Sequence, residues 1–270
     1  MKTIRSKDNP TYKEAVKLLR KKYRDQAGMF LLEGPRPVID ALKTGDAIEA
    51  VFLRESAADS PASRETETLC TAADVRIAVL ADELFGKLSE TEHSQGILAI
   101  ARKSTPRKLN GAAVILDRLQ DPGNIGTIIR TAEAAGFSAL IAIKGTGDIY
   151  SPKTARAAAG SLLRVDVFEG METDDALALC REQGLRVIAS DLKGAAEYTD
   201  ADLTGDIALV IGNEGSGVSG EILDAADIKV KIPMEGNIES LNAAAAAAVL
   251  MYEAARQRRT AGKAKECRIS

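Results

Sequence analysis

Three polar loops in this 270-residue chain carry the residue types that chemistry needs. The first lies in residues 117–137, DRLQDPGNIGTIIRTAEAAGF, after an apolar strand and at the start of a helix. Asn124 reads as the N-cap of that helix, its side-chain oxygen satisfying a free backbone N–H. Ile125, Ile128, Ile129 and Ala132 share one helix face, and Arg130 lies roughly 100–150° round from it. An arginine there either faces water or offers its planar fork to a phosphate, a ligand or a second subunit. The second loop is VIGNEGSG, residues 210–217. Gly212, Gly215 and Gly217 allow a tight turn and a close backbone approach to a ligand, although a turn without a ligand would use them equally well. The spacing matches neither a dinucleotide fingerprint nor a P-loop, and no lysine is present. Glu214 would repel a pyrophosphate, so a cationic or zwitterionic ligand is the more compatible one. The third loop leads into a helix within residues 232–252, IPMEGNIESLNAAAAAAVLMY. Ser240 is placed as its N-cap and Asn242 in its first turn. Six alanines, 243–248, follow. They favour helix by themselves, but so many small side chains also suit a helix with backbone close by on several sides, or a ligand at its start.

The elements that must position these loops alternate between strand and helix. In the first half, residues 11–24 read as one amphipathic helix with a basic face. Strands are expected at 29–33, 48–53, 76–80 and 96–101, and helices at 36–43, 61–73 and 82–88. That is a small α/β domain. Residues 102–111, RKSTPRKLNG, break the pattern and mark a boundary. Beyond it, strands are expected at 113–116, 139–143, 165–168, 186–190, 207–211 and 228–232. Helices fall at 125–135, 152–159, 174–183 and 241–258, with a short one inside 212–228. These strands are near-continuous apolar runs, the mark of a parallel sheet covered on both faces. Such sheets bind ligands beyond the carboxyl ends of their strands, where all three loops lie. The expected division is a domain at 1–103, a linker at 104–111, a second domain at 112–260 and a basic tail at 261–270.

Composition narrows the class. Hydrophobic residues make up 45% and charged residues 28%, as in a soluble globular protein. Five Phe, five Tyr and no Trp leave an aliphatic core and argue against aromatic base-stacking platforms. Cys70, Cys180 and Cys267 are odd in number and lack metal spacing, and the chain has one His, so no metal site is expected. This cysteine usage suits a reducing cytoplasm. The start, MKTIRSKDNP, has no apolar signal region, and the longest apolar run, 243–252, is too short to span a bilayer. Net charge is −3, but it is unevenly spread. Residues 1–24 hold nine Lys/Arg against Asp8 and Glu14, and Arg256, Arg258, Arg259, Lys263, Lys265 and Arg268 stand near the other end against Glu266. Such runs are solvated faces or phosphate grips.

Taken together, D-P-G-N-I-G-x-x-x-R-T-A-x-A-A-G-F, L-V-I-G-N-E-G-x-G and I-P-M-x-G-x-I-x-S-L-N resemble the three signature motifs of the SpoU branch of the SPOUT RNA methyltransferases. The likeness spans about residues 114–258. The first half, through F-L-L-E-G-P-R-P-V-I-D-A-L and Q-G-I-L-A-I, looks like the L30e-like substrate-binding domain often joined to them. The resemblance implies an α/β chain: a parallel-sheet SPOUT domain with a deep trefoil knot behind a smaller L30e-like domain. It implies methyl transfer from S-adenosylmethionine to a ribose 2′-hydroxyl of RNA. Ribosomal (23S) RNA is preferred from the type of first domain; transfer RNA, or a non-catalytic RNA-binding or ribosome-assembly role, are the alternatives. Family catalytic positions fall on Asn124, Arg130, Glu214, Ser240 and Asn242. Arg130 would activate the hydroxyl, as a base or through its charge. Cofactor contacts fall on the backbone at Gly212, Ile232 and Leu241, with Ile211, Ser190 and Met234 beside them. Lys17, Arg20, Lys21, Lys22, Arg24 and Arg36 would grip RNA phosphates. The family implies a homodimer, without metal or membrane.

Overall fold

The computed structural model describes residues 3–45, 48–89, 94–106, 109, 111–191 and 196–266. Positions 107, 108 and 110 of the expected linker, 192–195 after Ser190, and 267–270 with Cys267 and Arg268 lie outside them. The chain forms two compact units, Met1–Ser104 with Tyr150–Leu163, and Thr105–Ile149 with Arg164–Ser270.

The first unit is built on a five-stranded mixed sheet. Its strands are β1 (Thr3–Ile4), β2 (Met29–Glu33), β3 (Ile48–Arg54), β4 (Arg76–Leu80) and β5 (Ile97–Arg102), in the order β1-β4-β3-β5-β2. β1, β4 and β3 run parallel, and β5 is antiparallel to β3 and β2. Helices α1 (Pro10–Lys17), α2 (Lys21–Ala27), α3 (Pro35–Thr44), α4 (Pro61–Ala72) and α5 (Asp82–Leu88) accompany it. Tyr12, Leu31, Phe52, Leu80, Phe85 and Leu98 form part of one buried cluster.

The single helix expected over 11–24 is two. The chain leaves α1 after Lys17 and is extended at Arg20 before α2 begins. Leu18 is buried in the core cluster, and its carbonyl, left free at the helix end, accepts Nη1 of Arg24 at 2.7 Å. Arg24 is 2% exposed. It is therefore an internal cap and not a phosphate contact, a correction to the basic-face reading. Lys17, Arg20, Lys21, Lys22 and Arg36 are exposed.

The second unit is a seven-stranded sheet, parallel throughout. It contains β6 (Ala113–Leu116), β7 (Ala139–Ile143), β8 (Asp166–Met171), β9 (Arg186–Ser190), β10 (Ala196–Glu197), β11 (Ile207–Ile211) and β12 (Ile228–Lys231). Their order is β10-β12-β9-β11-β6-β7-β8. Every residue of β6, β7 and β11 is buried, as their unbroken apolar runs require. Helices α6 (Pro122–Ala134), α8 (Thr173–Glu182), α9 (Gly220–Ala225) and α10 (Ala243–Glu266) belong to this unit. α7 (Pro152–Ala158), in the β7–β8 crossover, packs instead on β2 of the first unit. There Arg156 pairs with Glu33 at 2.6 Å, and the Tyr150 ring lies 5.0 Å from that of Phe30.

Four helices start on one local signal. Asn9, Ser60, Asp121 and Ser151 each cap with the side chain, and each precedes a proline. Proline suits the first helical position because its missing N–H would be unpaired there anyway. α10 ends at Glu266 rather than Arg258. Two of the cations near that end are held within the protein: Arg256 pairs with Glu253, and Arg258 lies over the Phe137 ring at 4.7 Å. Among the described residues, no helix is long and apolar enough to cross a membrane, and no cluster of three or more His, Cys, Asp or Glu could hold a metal ion.

Candidate active site

Strand register fixes where the loops meet. Ile211 pairs with Leu116, Val210 with Ala189, and Val230 with Ser190. Four adjacent parallel strands thus end on one edge, and Ile232, Asp191, Gly212 and Asp117 follow them in spatial order. With strands about 4.8 Å apart, the backbones after β12 and β11 stand roughly 10 Å apart across β9.

The first loop begins at Asp117, which is 1% exposed. Its N–H donates to Ile211 O at 2.9 Å, and its Oδ2 accepts from Ser219 N at 2.7 Å. The cap of α6 is Asp121, whose Oδ1 accepts Asn124 N at 2.8 Å. Asn124 is therefore the third helical residue, not the cap, and its side chain is free for other work. Its Nδ2 donates to Glu214 Oε1 at 3.2 Å, and its Oδ1 accepts Asn242 Nδ2 at 3.0 Å.

At α10 the expected cap also moves. Asn242 Oδ1 accepts from Ala244 N at 2.9 Å and Ala245 N at 3.3 Å, so Asn242 caps the helix and Ser240 stands exposed before it. These bonds fix the direction of the whole chain of amides. Backbone donors hold the oxygen of Asn242, so its nitrogen must donate to Asn124. The nitrogen of Asn124 must then donate to the carboxylate. One side-chain relay, Asn242 to Asn124 to Glu214, joins all three loops.

Glu214 completes the relay by accepting from Gln120 N and Asp121 N, both at 3.1 Å. Desolvation pushes its carboxyl up, but hydrogen bonds from its own N–H, Asp121 N, the Asn124 amide and Gln120 N outweigh this and hold it below the usual carboxylate range. Its carboxylate oxygens are taken up by the first loop. Arg130 is exposed, off the fully buried stripe of Ile125, Ile128, Ile129 and Ala132. It stands about 9 Å further along α6 than Asn124, at 1.5 Å per residue. Among the described residues its side chain makes no ion pair or hydrogen bond.

Gly212 is needed for a steric reason. A Cβ there would sit 2.2 Å from Gly217 C and from Val218 N. The loop closes on itself, with Asn213 and Gly217 exchanging backbone hydrogen bonds of 3.0 and 2.9 Å. Gly212, Ile232 and Leu241 are half-buried, and among the described residues no backbone N–H or C=O of theirs is hydrogen-bonded. Ile211 is buried within β11, whereas Ser190 and Met234 are half-buried. The alanine run packs closely on one side only. Ala244 and Ala247 are buried and α10 lies against α6, but Ala245 is exposed.

A fourth loop, 144–149 after β7, escaped the sequence reading. Gly147 N donates to Leu119 O at 2.7 Å, and a Cβ on Gly147 would lie 2.9 Å from Gln120 O. Gln120 Nε2 in turn donates to Gly145 O at 2.7 Å. The signal was there: two glycines in KGTGD, directly after an apolar strand.

Polar loops knitted together at the carboxyl edge of a parallel sheet are the mark of a ligand-binding α/β enzyme. The chain belongs to the SpoU rRNA Methylase family, which it matches over residues 111–252. Residues 9–99 match the MRM3-like substrate binding domain. The 23S rRNA (guanosine(2553)-2′-O)-methyltransferase RlmP of Bacillus subtilis is 34% identical over 253 residues, covering 93% of this chain and 98% of that protein. A 23S rRNA (uridine(2479)-2′-O)-methyltransferase of Streptomyces viridochromogenes is 34% identical, covering 87% and 85%. The crystal structure of an AdoMet-bound rRNA methyltransferase from Sinorhizobium meliloti superposes with a TM-score of 0.81 at 31% identity, over 94% of this chain and 97% of that one.

Proposed function

We propose that this chain methylates a ribose 2′-hydroxyl of 23S ribosomal RNA, with S-adenosylmethionine as donor. The observation that carries the reading is the Asn242–Asn124–Glu214 relay, which locks three separate sequence motifs into one edge site. The backbone groups of Gly212, Ile232 and Leu241, unpaired among the described residues, fit the cofactor, since an adenine edge offers the donors and acceptors they lack. Those residues would hold it, with Ile211, Ser190 and Met234 alongside. When bound, S-adenosylmethionine supplies a methyl group on a sulfonium centre.

The protein's own contribution is alignment and charge. Asn124 and Asn242 set the start of α6 against the start of α10, which fixes the direction in which α6 carries Arg130. The guanidinium of Arg130, exposed and without a partner among the described residues, would meet the ribose and lower the pKa of its 2′-hydroxyl. The proton then leaves to water or a phosphate oxygen, because arginine stays charged. Acting as base is the other role, open to Arg130 only if an RNA phosphate and burial on binding shift its proton. Ser240 stands exposed on the same loop as Asn242 and completes the catalytic set. Lys17, Arg20, Lys21, Lys22 and Arg36 would hold RNA phosphates on the first domain, residues 1–103. Residues 112–260 would carry out the transfer beyond a 104–111 linker, with a basic tail at 261–270.

The reading includes the trefoil knot. What supports it is the chain's return from β12, near one side of the sheet, to α10 against α6 and β11. It also includes a homodimer built on the α6–α10 pair, where Arg130, Ala245 and Tyr252 are exposed, and a cytoplasmic location. The test has two parts: calorimetric titration with S-adenosylmethionine, and mapping of ribose methylation in 23S RNA from cells with and without this protein. Binding together with one missing methyl group supports the proposal. No binding and an unchanged map would reduce the chain to an RNA-binding protein that kept the fold.

A further inference from the structure

Arg118, directly after buried Asp117, has φ of +59°, a left-handed conformation that side-chain-bearing residues adopt rarely. Its neighbours converge on it. The carbonyl of Arg118 accepts two side-chain amides, Gln120 Nε2 and Asn213 Nδ2, both at 2.8 Å. Its N–H donates to Thr146 Oγ1 at 3.2 Å. Its guanidinium reaches Asp117 at 3.1 Å and Glu221 at 3.7 Å. Asn213 has no choice of orientation. Its Oδ1 accepts Gly215 N at 2.9 Å and Ser216 N at 3.2 Å, so its nitrogen is the end that meets Arg118. The next residue, Glu214, takes the N–H groups of Gln120 and Asp121. Two successive side chains of the second loop therefore grip the first loop on either side of the left-handed turn.

We propose that Asn213 is a positioning residue for methyl transfer. It holds Arg118 in the left-handed turn that aims the 120–121 backbone at Glu214, and so sets Asn124 and the start of α6. It acts through Arg118 and touches no substrate. The proposal rests on the methyltransferase reading for its rate effect, but the turn itself is testable without activity.

If the left-handed turn is what Asn213 supplies, a residue that prefers that conformation should make Asn213 dispensable. Glycine is that residue. The experiment is a double-mutant cycle with Asn213→Asp and Arg118→Gly in the full chain. Aspartate can still accept from Gly215 and Ser216, so the second loop keeps its cap, but it cannot donate to Arg118. Asn213→Asp alone is expected to lower kcat at least tenfold, with S-adenosylmethionine affinity changed less than threefold. Arg118→Gly alone removes the guanidinium and its two ion pairs, and lowers the rate somewhat. In the Arg118→Gly background, adding Asn213→Asp should cost less than threefold. Amide hydrogen exchange at Gln120 and Asp121 should quicken in Asn213→Asp and return toward the Arg118→Gly level in the double variant. An equal loss from Asn213→Asp in both backgrounds, wild-type kcat in Asn213→Asp, or unchanged exchange would each overturn the proposal. A wild-type chain without methyl transfer would sink the enzyme reading instead, while the exchange cycle would still judge the turn.

Discussion

Replacing Glu214 by glutamine tests whether the relay across the three loops supports catalysis. The carboxylate accepts three hydrogen bonds from the first loop, from Gln120 N at 3.1 Å, Asp121 N at 3.1 Å and Asn124 Nδ2 at 3.2 Å. Glutamine has nearly the same shape but one acceptor oxygen. If that oxygen faces Asp121 and Asn124, the amide NH₂ must face the N–H of Gln120, donor against donor. One bond to a charged acceptor disappears, worth about 1.5–3 kcal/mol when water is excluded. The remaining two lose their charge assistance, roughly half their strength. Glu214 is exposed, so water compensates much of this, and a net change of about 2 kcal/mol in holding the loop is the expectation. At 1.36 kcal/mol per decade that is about 30-fold in kcat. The assay is initial-rate transfer of tritiated methyl to a ribosomal RNA fragment at saturating cofactor, with calorimetry for S-adenosylmethionine affinity and thermal unfolding as a check on the fold. Glu214→Ala, which removes all three bonds, should lose more than Glu214→Gln. A Glu214→Gln chain within threefold of wild type would refute the reasoning, as would kcat held constant while cofactor affinity collapses.

Arg130→Ala should leave a folded chain that still binds S-adenosylmethionine in calorimetry but transfers methyl at least about 100-fold more slowly, since a charge near the reacting oxygen is removed. Gly212→Ala puts a Cβ 2.2 Å from Gly217 C and Val218 N, so the second loop must open; titration should show cofactor affinity abolished while circular dichroism keeps its α/β signature. Charge reversal of exposed Lys21 and Lys22 should weaken RNA binding and flatten its salt dependence by about one unit of slope for each phosphate no longer neutralised, with cofactor affinity unchanged. Glu214 also predicts a pH window. Its folded pKa lies below the ordinary 4.5, so the stability it contributes is fully present above that value and is lost as pH falls through the folded pKa. Acid unfolding curves of wild type and Glu214→Gln should therefore diverge above pH 4.5 and converge below it.

Much of the site was legible because its signals are local. Apolar runs such as AVIL, ALIAI and IALVI needed no partner to announce buried parallel strands, and they are buried throughout. Arg130 was placed off the apolar stripe by periodicity alone, and it is exposed. The capping errors were local too. Asp121-Pro122 is the same start signal as Ser60-Pro61 and Ser151-Pro152, and weighing it would have moved the cap away from Asn124. Strands β1 and β10, two residues each, carry no periodicity to read.

Tertiary structure decided which polar groups face one another. Nothing in a linear pattern says that Glu214 answers the backbone of residues 120 and 121, 94 and 93 positions upstream, because one N–H looks like any other in sequence. Arg24 looked like its cationic neighbours until the break after α1 buried it beneath the Leu18 carbonyl. The sequence by itself determined the longer strands, the three motifs and the family they belong to. The fold alone determined that Asn242, Asn124 and Glu214 form one directed relay, since hydrogen-bond direction is set by partners that meet only when β11, β6 and the start of α10 share an edge.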